Sequence, residues 1–181
     1  MQQILKLPFS GKLRCSQSNL SKGSHNIKYP NTKFALDFET AKNKPFYVLA
    51  SATGKTKVWK PCKHKTGNCM CGLGFGNQIR IYHDRYVTFY AHLSKIFVKT
   101  GQNVKQGDRI GIAGKTGLAG TLHLHWTLAK ETEGTQERKN FKPFWSIEAK
   151  RIEVISRKHD VVSSRYFKKG RYYISTNANK F

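Results

Sequence analysis

Between Val98 and Gly120 the chain reads VKTGQNVKQGDRIGIAGKTGLAG, with glycines at 101, 107, 111, 114, 117 and 120. A helix interior loses about 1 kcal/mol per glycine relative to alanine, whereas tight turns exploit the glycine backbone's freedom. The segment therefore reads as successive β-turns. It leads into TLHLHWTL (121–128), whose period of two sets His123 and His125 on one face. Leu122, Leu124, Trp126 and Leu128 fall on the other, core-facing side.

The same period recurs upstream. Phe34, Leu36 and Phe38 alternate, and FYVLA (46–50) and KVW (57–59) read as strands around a turn at Gly54. NQIRIYHD (77–84) places Ile79, Ile81 and His83 on one face, and YVTFYAHL (86–93) does so with Tyr86, Thr88, Tyr90 and His92. Asp84 and Arg85 suit the hairpin turn between these two strands. The expectation is a mainly β chain with little helix. Its 181 residues suffice for one sizeable core. Residues 1–140 are read as a catalytic domain and 141–181 as C-terminal strands or a tail packed on it. KETEGTQERKN (130–140) reads as an exposed loop, and the aromatics of the tail are expected to pack on the sheet rather than bind polymers.

Charge narrows the partners. Thirty-three Lys and Arg against ten Asp and Glu give a formal net charge of +23, a field that attracts polyanions such as wall polymers, anionic lipid or nucleic acid. No recognised nucleic-acid motif accompanies it, so binding to nucleic acid is expected to be non-specific. No apolar run reaches the length of a membrane span, and MQQILKLPFSGKLRCS shows no signal-peptide pattern.

Cys62, Cys69 and Cys71 crowd into PCKHKTGNCMC, with Cys15 apart. Disulfides are favoured there over a structural metal at Cys62, His64, Cys69 and Cys71, because the spacing fits no standard zinc ribbon.

Two features suggest chemistry. Histidines at i and i+2 of a strand point the same way, so one can hold a metal while its neighbour reaches substrate. Asp37 lies in the apolar FALDF, where a buried carboxylate is costly unless paired, hydrogen-bonded or metal-bound. A salt bridge to one of the many lysines, or an outward-facing position, would also account for it. No H-E-x-x-H helix motif exists, which sets that class of metalloprotease aside.

FALDF, FYVLASATGKTKVW, GNQIRIYH, TFYAHL, the glycine-rich segment and HLHW occur in this order over roughly residues 24–128. This succession resembles the lysostaphin-type zinc metallopeptidases that cut peptide bonds in peptidoglycan. The resemblance implies a compact antiparallel β-sheet domain with a substrate groove over one sheet. It implies one catalytic zinc held by His25, Asp37 and His125, with His92 and His123 as catalytic residues. His123 is expected to be the base and the other histidine the donor to the oxyanion, while His83 supports. The chain departs from the commonest pattern at Lys33, where the first ligand histidine usually stands; His25 is the nearest upstream histidine, and His64 is an alternative. The implied partners are peptidoglycan peptides and anionic wall polymers, and the implied place of action is outside the cytoplasm. A non-catalytic, cationic wall-binding module is the alternative function.

Overall fold

The computed structural model describes residues 4–63, 67–131, 144–153 and 161–177. Among these, the strands are β1 (Leu5–Lys6), β2 (Ser10–Gln17), β3 (Leu36–Glu39), β4 (Tyr47–Leu49), β5 (Gly54–Trp59), β6 (Gln78–His83), β7 (Tyr86–Ala91) and β8 (Leu93–Ile96). They continue with β9 (Asn103–Val104), β10 (Arg109–Ala113), β11 (Leu124–Glu131), β12 (Phe144–Ile147), β13 (Ile152–Glu153), β14 (Val161–Val162) and β15 (Tyr172–Thr176). Helical structure in the described residues amounts to two short turns, Cys71–Gly74 and Ser164–Tyr166.

The large sheet has the order β15-β2-β3-β11-β7-β6-β5-β9, with β12 also pairing β11. β3 and β12 share one edge of the long strand β11, pairing with its first and last residues respectively. A second sheet, β4-β10-β8, and a small one, β1-β13-β14, complete the fold. Every pairing is antiparallel except β1 with β13. The hairpin at Asp84-Arg85 forms, with His83 opposite Tyr86.

Two expectations need adjustment. β4 and β5, consecutive in the chain, do not pair with each other but join different sheets. The glycine-rich segment holds β9 and the five-residue β10 as well as turns. Its residues alternate between pairing partners and bends, with Gly101, Gly107 and Gly117 at positive φ. Gly117 is the most constrained: a Cβ there would lie 2.3 Å from the Gly74 carbonyl oxygen and 2.4 Å from the Gly76 nitrogen.

Leu36 and Phe38 of β3, Ile79 and Ile81 of β6, Tyr90 of β7, and Leu124, Trp126 and Leu128 of β11 share one buried cluster with Val48, Leu93 and Ile110. Phe167 and Tyr173 join it, so these tail aromatics do pack inward, while Tyr166 and Tyr172 remain exposed. The odd-numbered residues of β3, β7 and β11, and the even-numbered ones of β6, face the other side. There Asp37, Phe89 and His125 are also buried, beneath the residues 18–35 and 67–76 and the turns around Thr116. A sheet centre covered on both faces explains why apolar and polar residues are equally buried along β11.

Candidate metal centre

Asp37 and His125 are opposite one another in the β3–β11 register. Directly opposed residues have Cβ atoms about 4.5–5.5 Å apart and share a face, so the two side chains meet: His125 Nδ1 is 3.0 Å from Asp37 Oδ1. His25 completes the group, its Nε2 standing 3.2 Å from His125 Nδ1 and 3.3 Å from Asp37 Oδ1.

The path from His25 to β3 is long, and compact turns close it. Tyr29 N–H donates to the Asn26 carbonyl at 3.1 Å, Ala35 N–H to Thr32 at 2.8 Å and Leu20 N–H to Lys33 at 2.7 Å. The Thr32 hydroxyl donates to the Ser24 carbonyl, and Gln17 Nε2 donates to Ser24 Oγ at 2.8 Å. These contacts hold the residue beside His25 on the sheet. Lys33 goes elsewhere, its Nζ lying 5.1 Å from the Phe34 ring centre. His64 lies outside the described residues.

His92 arrives by a device that strand periodicity does not contain. Continued alternation would put it beside Tyr90 on the core face, but its φ is 61°, in the left-handed region. The chain kinks between β7 and β8, His92 N–H donates to the Phe75 carbonyl at 2.9 Å, and the ring turns to the Asp37 face. Ring centres are 4.7 Å apart for His92 and His123 and 5.9 Å for His92 and His125. His123 Nε2 is 3.7 Å from Asp37 Oδ2. His83 stays out of the cluster, bound to the Thr53 carbonyl at 2.7 Å and Thr88 Oγ1 at 2.8 Å.

Hydrogen bonds set the tautomers. His92 Nδ1 lies 2.8 Å from the Thr116 carbonyl oxygen and His123 Nδ1 3.0 Å from that of Thr121. A carbonyl only accepts, so each Nδ1 carries the hydrogen and each neutral ring presents Nε2 as a lone pair. The expected donation from His92 to an oxyanion therefore lacks an N–H in the neutral ring.

Burial, followed by the neighbouring His123 and His125, lowers the His92 pKa from 6.5 to about 3. Burial likewise lowers that of His125, against the opposing pull of Asp37. Burial alone would raise the Asp37 carboxyl, but His25, His123 and His125 override it and hold it well below the usual carboxylate range. Asp37's ion-pair partners among the described residues are these three histidines, not lysines.

Acid should consequently weaken the metal-free chain. Between pH 6.5 and about 3 the unfolded chain binds a proton at His92 that the folded chain refuses, so stability falls as pH falls through this window. Urea midpoints at pH 7 and pH 4.5 check this: the drop should be smaller for His92→Gln, with an effect on the order of a few kcal/mol.

Asp37, His92, His123 and His125 line a cavity of about 300 Å³ together with Ser16, Gln17, Ser24, Leu118, Gly120 and Thr121. A larger hollow of about 590 Å³, at Phe46, Tyr47, Val98 and Arg109, shares no lining residue with it. Behind His125 stand Phe75 and Phe89, with ring centres 5.4 and 6.1 Å away. Sequence reasoning missed Phe75, Thr116 and this aromatic wall; the only signal was that Thr116 lies within the glycine-rich segment.

The donor set suits zinc. Tetrahedral bonds of about 2.0–2.2 Å separate ligand atoms by roughly 3.3–3.6 Å, close to the 3.0–3.3 Å found here. Two imidazole lone pairs and a carboxylate oxygen aimed at one point repel unless a cation or shared proton lies between them. His25, Asp37 and His125 all lie within 4.8 Å of one another by their ligand atoms.

An antiparallel β domain with a buried His–Asp–His donor set opening on a cleft defines the class. The sequence profile of Peptidase family M23 matches residues 31–138, and the chain belongs to that family. His25 lies ahead of the matched span. The chain is similar to the peptidoglycan DD-endopeptidase ShyA of Vibrio cholerae, 52% identical over 54 residues, which are 29% of this chain and 13% of that protein. An uncharacterized metalloprotease of Buchnera aphidicola is 45% identical over 125 residues, 68% of this chain and 30% of that one. Glycyl-glycine endopeptidase ALE-1 of Staphylococcus capitis is 44% identical over 55 residues, 29% of this chain and 15% of that one. This chain thus spans less than a third of the length of each of these relatives. Among solved structures, the deep-sea M23 metalloprotease pseudoalterin shares the fold, with a TM-score of 0.55 at 18% identity over 99% of this chain and 98% of that one.

Proposed function

We propose that the chain is a zinc-dependent metalloendopeptidase that hydrolyses peptide bonds in bacterial peptidoglycan, with zinc held by His25, Asp37 and His125. The observation that carries this reading is the convergence of those three donors at 3.0–3.3 Å, two of which, Asp37 and His125, line a cleft together with His92 and His123. Zinc, when bound in such a site, polarises the scissile carbonyl and lowers the pKa of a coordinated water to about 7.

His123 Nε2 takes the proton of the attacking water and later gives it to the leaving amine. Asp37 Oδ2, 3.7 Å away, stabilises the imidazolium formed between these transfers. His92 is held neutral by burial and accepts a hydrogen bond at Nε2, orienting the water or a substrate N–H. Gln17, Ser24 and Thr121 offer polar contacts along the cleft and Leu118 an apolar one.

The formal charge of +23 concentrates the enzyme on anionic wall polymers, and nucleic acid competes only non-specifically in low salt. The substrate requires action outside the cytoplasm. The catalytic domain is assigned to residues 1–140, and among the described residues the pairing of β12 with β11 and of β15 with β2 supports the packing of the C-terminal strands on it. The names of two relatives, a DD-endopeptidase and a glycyl-glycine endopeptidase, support a wall peptide as substrate. A purely binding module is disfavoured by the complete donor set and both additional histidines.

Incubation of the zinc-loaded chain with isolated peptidoglycan should release new amino termini, and a chelator should stop the release. Release that continues without metal, or zinc-loaded protein that opens no bond in walls of several cross-link types, would overturn the reading.

A further inference from the structure

Cys62, Cys69 and Cys71 bring three sulfurs within 4.8 Å of one another. Cys71 lies within bridging reach of both Cys62 and Cys69, with Cα separations of 5.6 and 5.3 Å, each inside the range of ordinary disulfides. A divalent sulfur makes one S–S bond, so the two bridges are alternatives, and one thiol is always left over. Cys62 Sγ and Cys69 Sγ are 3.5 Å apart, so the leftover thiol stays against the bridge. Cys71 N–H points at Cys69 Sγ from 3.3 Å, a contact that favours the thiolate there.

We propose that Cys62, Cys69 and Cys71 form a disulfide-exchange site in which Cys71 is shared between two bridges and which sets the tether on the wall behind His92. The Cys69 thiolate attacks Cys71 Sγ of the Cys62–Cys71 bridge; the Cys69–Cys71 bond forms as the Cys62–Cys71 bond breaks. The electron pair leaves on Cys62, which takes a proton from solvent. No oxidant is consumed, because one bridge replaces another. Cys15 stays outside the exchange: it is buried on β2, and burial, with Asp37 and Glu39, pushes its thiol up to about 12.

The two bridges hold different things. Cys62–Cys71 spans nine positions and ties the segment after β5, fixed by Cys62 N–H to Asn77 Oδ1 at 3.1 Å, to the turn at Cys71–Gly74. Cys69–Cys71 spans two and releases that tie. The turn leads into the residues supporting the cleft. Leu118 N–H donates to Gly74 O at 2.7 Å, Cys69 N–H to Gly117 O at 3.2 Å and His92 N–H to Phe75 O at 2.9 Å. Thr116, whose carbonyl holds His92 Nδ1, also receives the Asn77 N–H on its hydroxyl at 3.0 Å.

The exchange is read on the folded chain without metal or substrate, so its failure leaves the peptidase reading intact. Chain purified without added thiol is quenched in acid, which protonates thiolates and freezes exchange. It is then unfolded, labelled with a maleimide at acid pH and mapped by mass spectrometry. The expected result is one label in the cluster, divided between Cys62 and Cys69, with Cys71 always bridged. A label confined to one of the two, a label on Cys71, or three labels from a reduced or metal-held trio overturns the proposal. In a second measurement Cys62→Ser leaves only the short bridge and Cys69→Ser only the long one. Amides of residues 69–76 should exchange about tenfold faster in Cys62→Ser, and equal rates would refute the tether.

Discussion

Replacing His125 by alanine is expected to remove zinc from the chain and peptidoglycan cleavage with it. His125 supplies the donor at the shortest approach in the cluster, 3.0 Å from Asp37 Oδ1. Loss of groups that merely orient a metal ligand typically costs 10–100-fold in affinity, and loss of a ligand should exceed about 100-fold. The substitution also leaves Asp37 buried with one partner fewer, a change of the kind that costs about 3–5 kcal/mol when a buried pair is broken. Metal content after dialysis, release of amino termini and circular dichroism together separate the outcomes. A folded His125→Ala chain that keeps its zinc would show that the His125–Asp37 pair is an ordinary buried ion pair. The same three measurements on His25→Ala decide whether the loop at 18–35 delivers the third ligand.

A second large effect is expected at His123, and it differs in kind. His123→Ala should keep its zinc yet lose about 10²–10⁴ in kcat, the usual contribution of a positioned acid–base group. Because His123 must gain and release a proton, glutamine should not rescue it. His92 should behave otherwise: its Nδ1 is committed to the Thr116 carbonyl, and its neutral Nε2 only accepts, which the glutamine carbonyl can imitate. His92→Gln is therefore expected to retain more activity than His92→Ala, while His123→Gln and His123→Ala fall alike. If glutamine rescues position 123 and fails at 92, the two roles are exchanged.

The neutral state of His92 has the same physical origin as its placement. The φ of 61° that turns the ring off the core face also carries it into a buried cluster of histidines, where burial makes a positive charge costly. Strain at one backbone position thus supports the chemistry of the cleft, held by the Phe75 carbonyl on the main chain and the Thr116 carbonyl on the ring.

The cysteines illustrate where sequence spacing runs out. The crowding of Cys62, Cys69 and Cys71 pointed to disulfides, and all three do converge, but Cys15 stands alone on β2. Pairing all four was open on spacing alone, because a disulfide needs Cα atoms within about 7 Å and sequence separation does not report that distance.

The sequence by itself determined much of this protein. Period-two alternation identified β3, β6, β7 and β11, grouped Leu36 with Phe38 and Ile79 with Ile81, and assigned Leu124, Trp126 and Leu128 to the core side, where all seven are found, because a strand has only two faces and one must leave water. The order of YAHL, the glycine-rich segment and HLHW pointed to the family. What tertiary structure alone decided were distances across the sheet and departures from alternation. Pairing β3 with β11 in one register makes Asp37 and His125 neighbours although 88 positions separate them. The loop contacts at Ser24 and Thr32 bring in His25 where Lys33 occupies the usual place. One left-handed residue moves His92 across the sheet. The local pattern reports which face a side chain takes while the strand continues; where the strand ends, and what lies opposite it, depends on contacts between residues far apart in the chain.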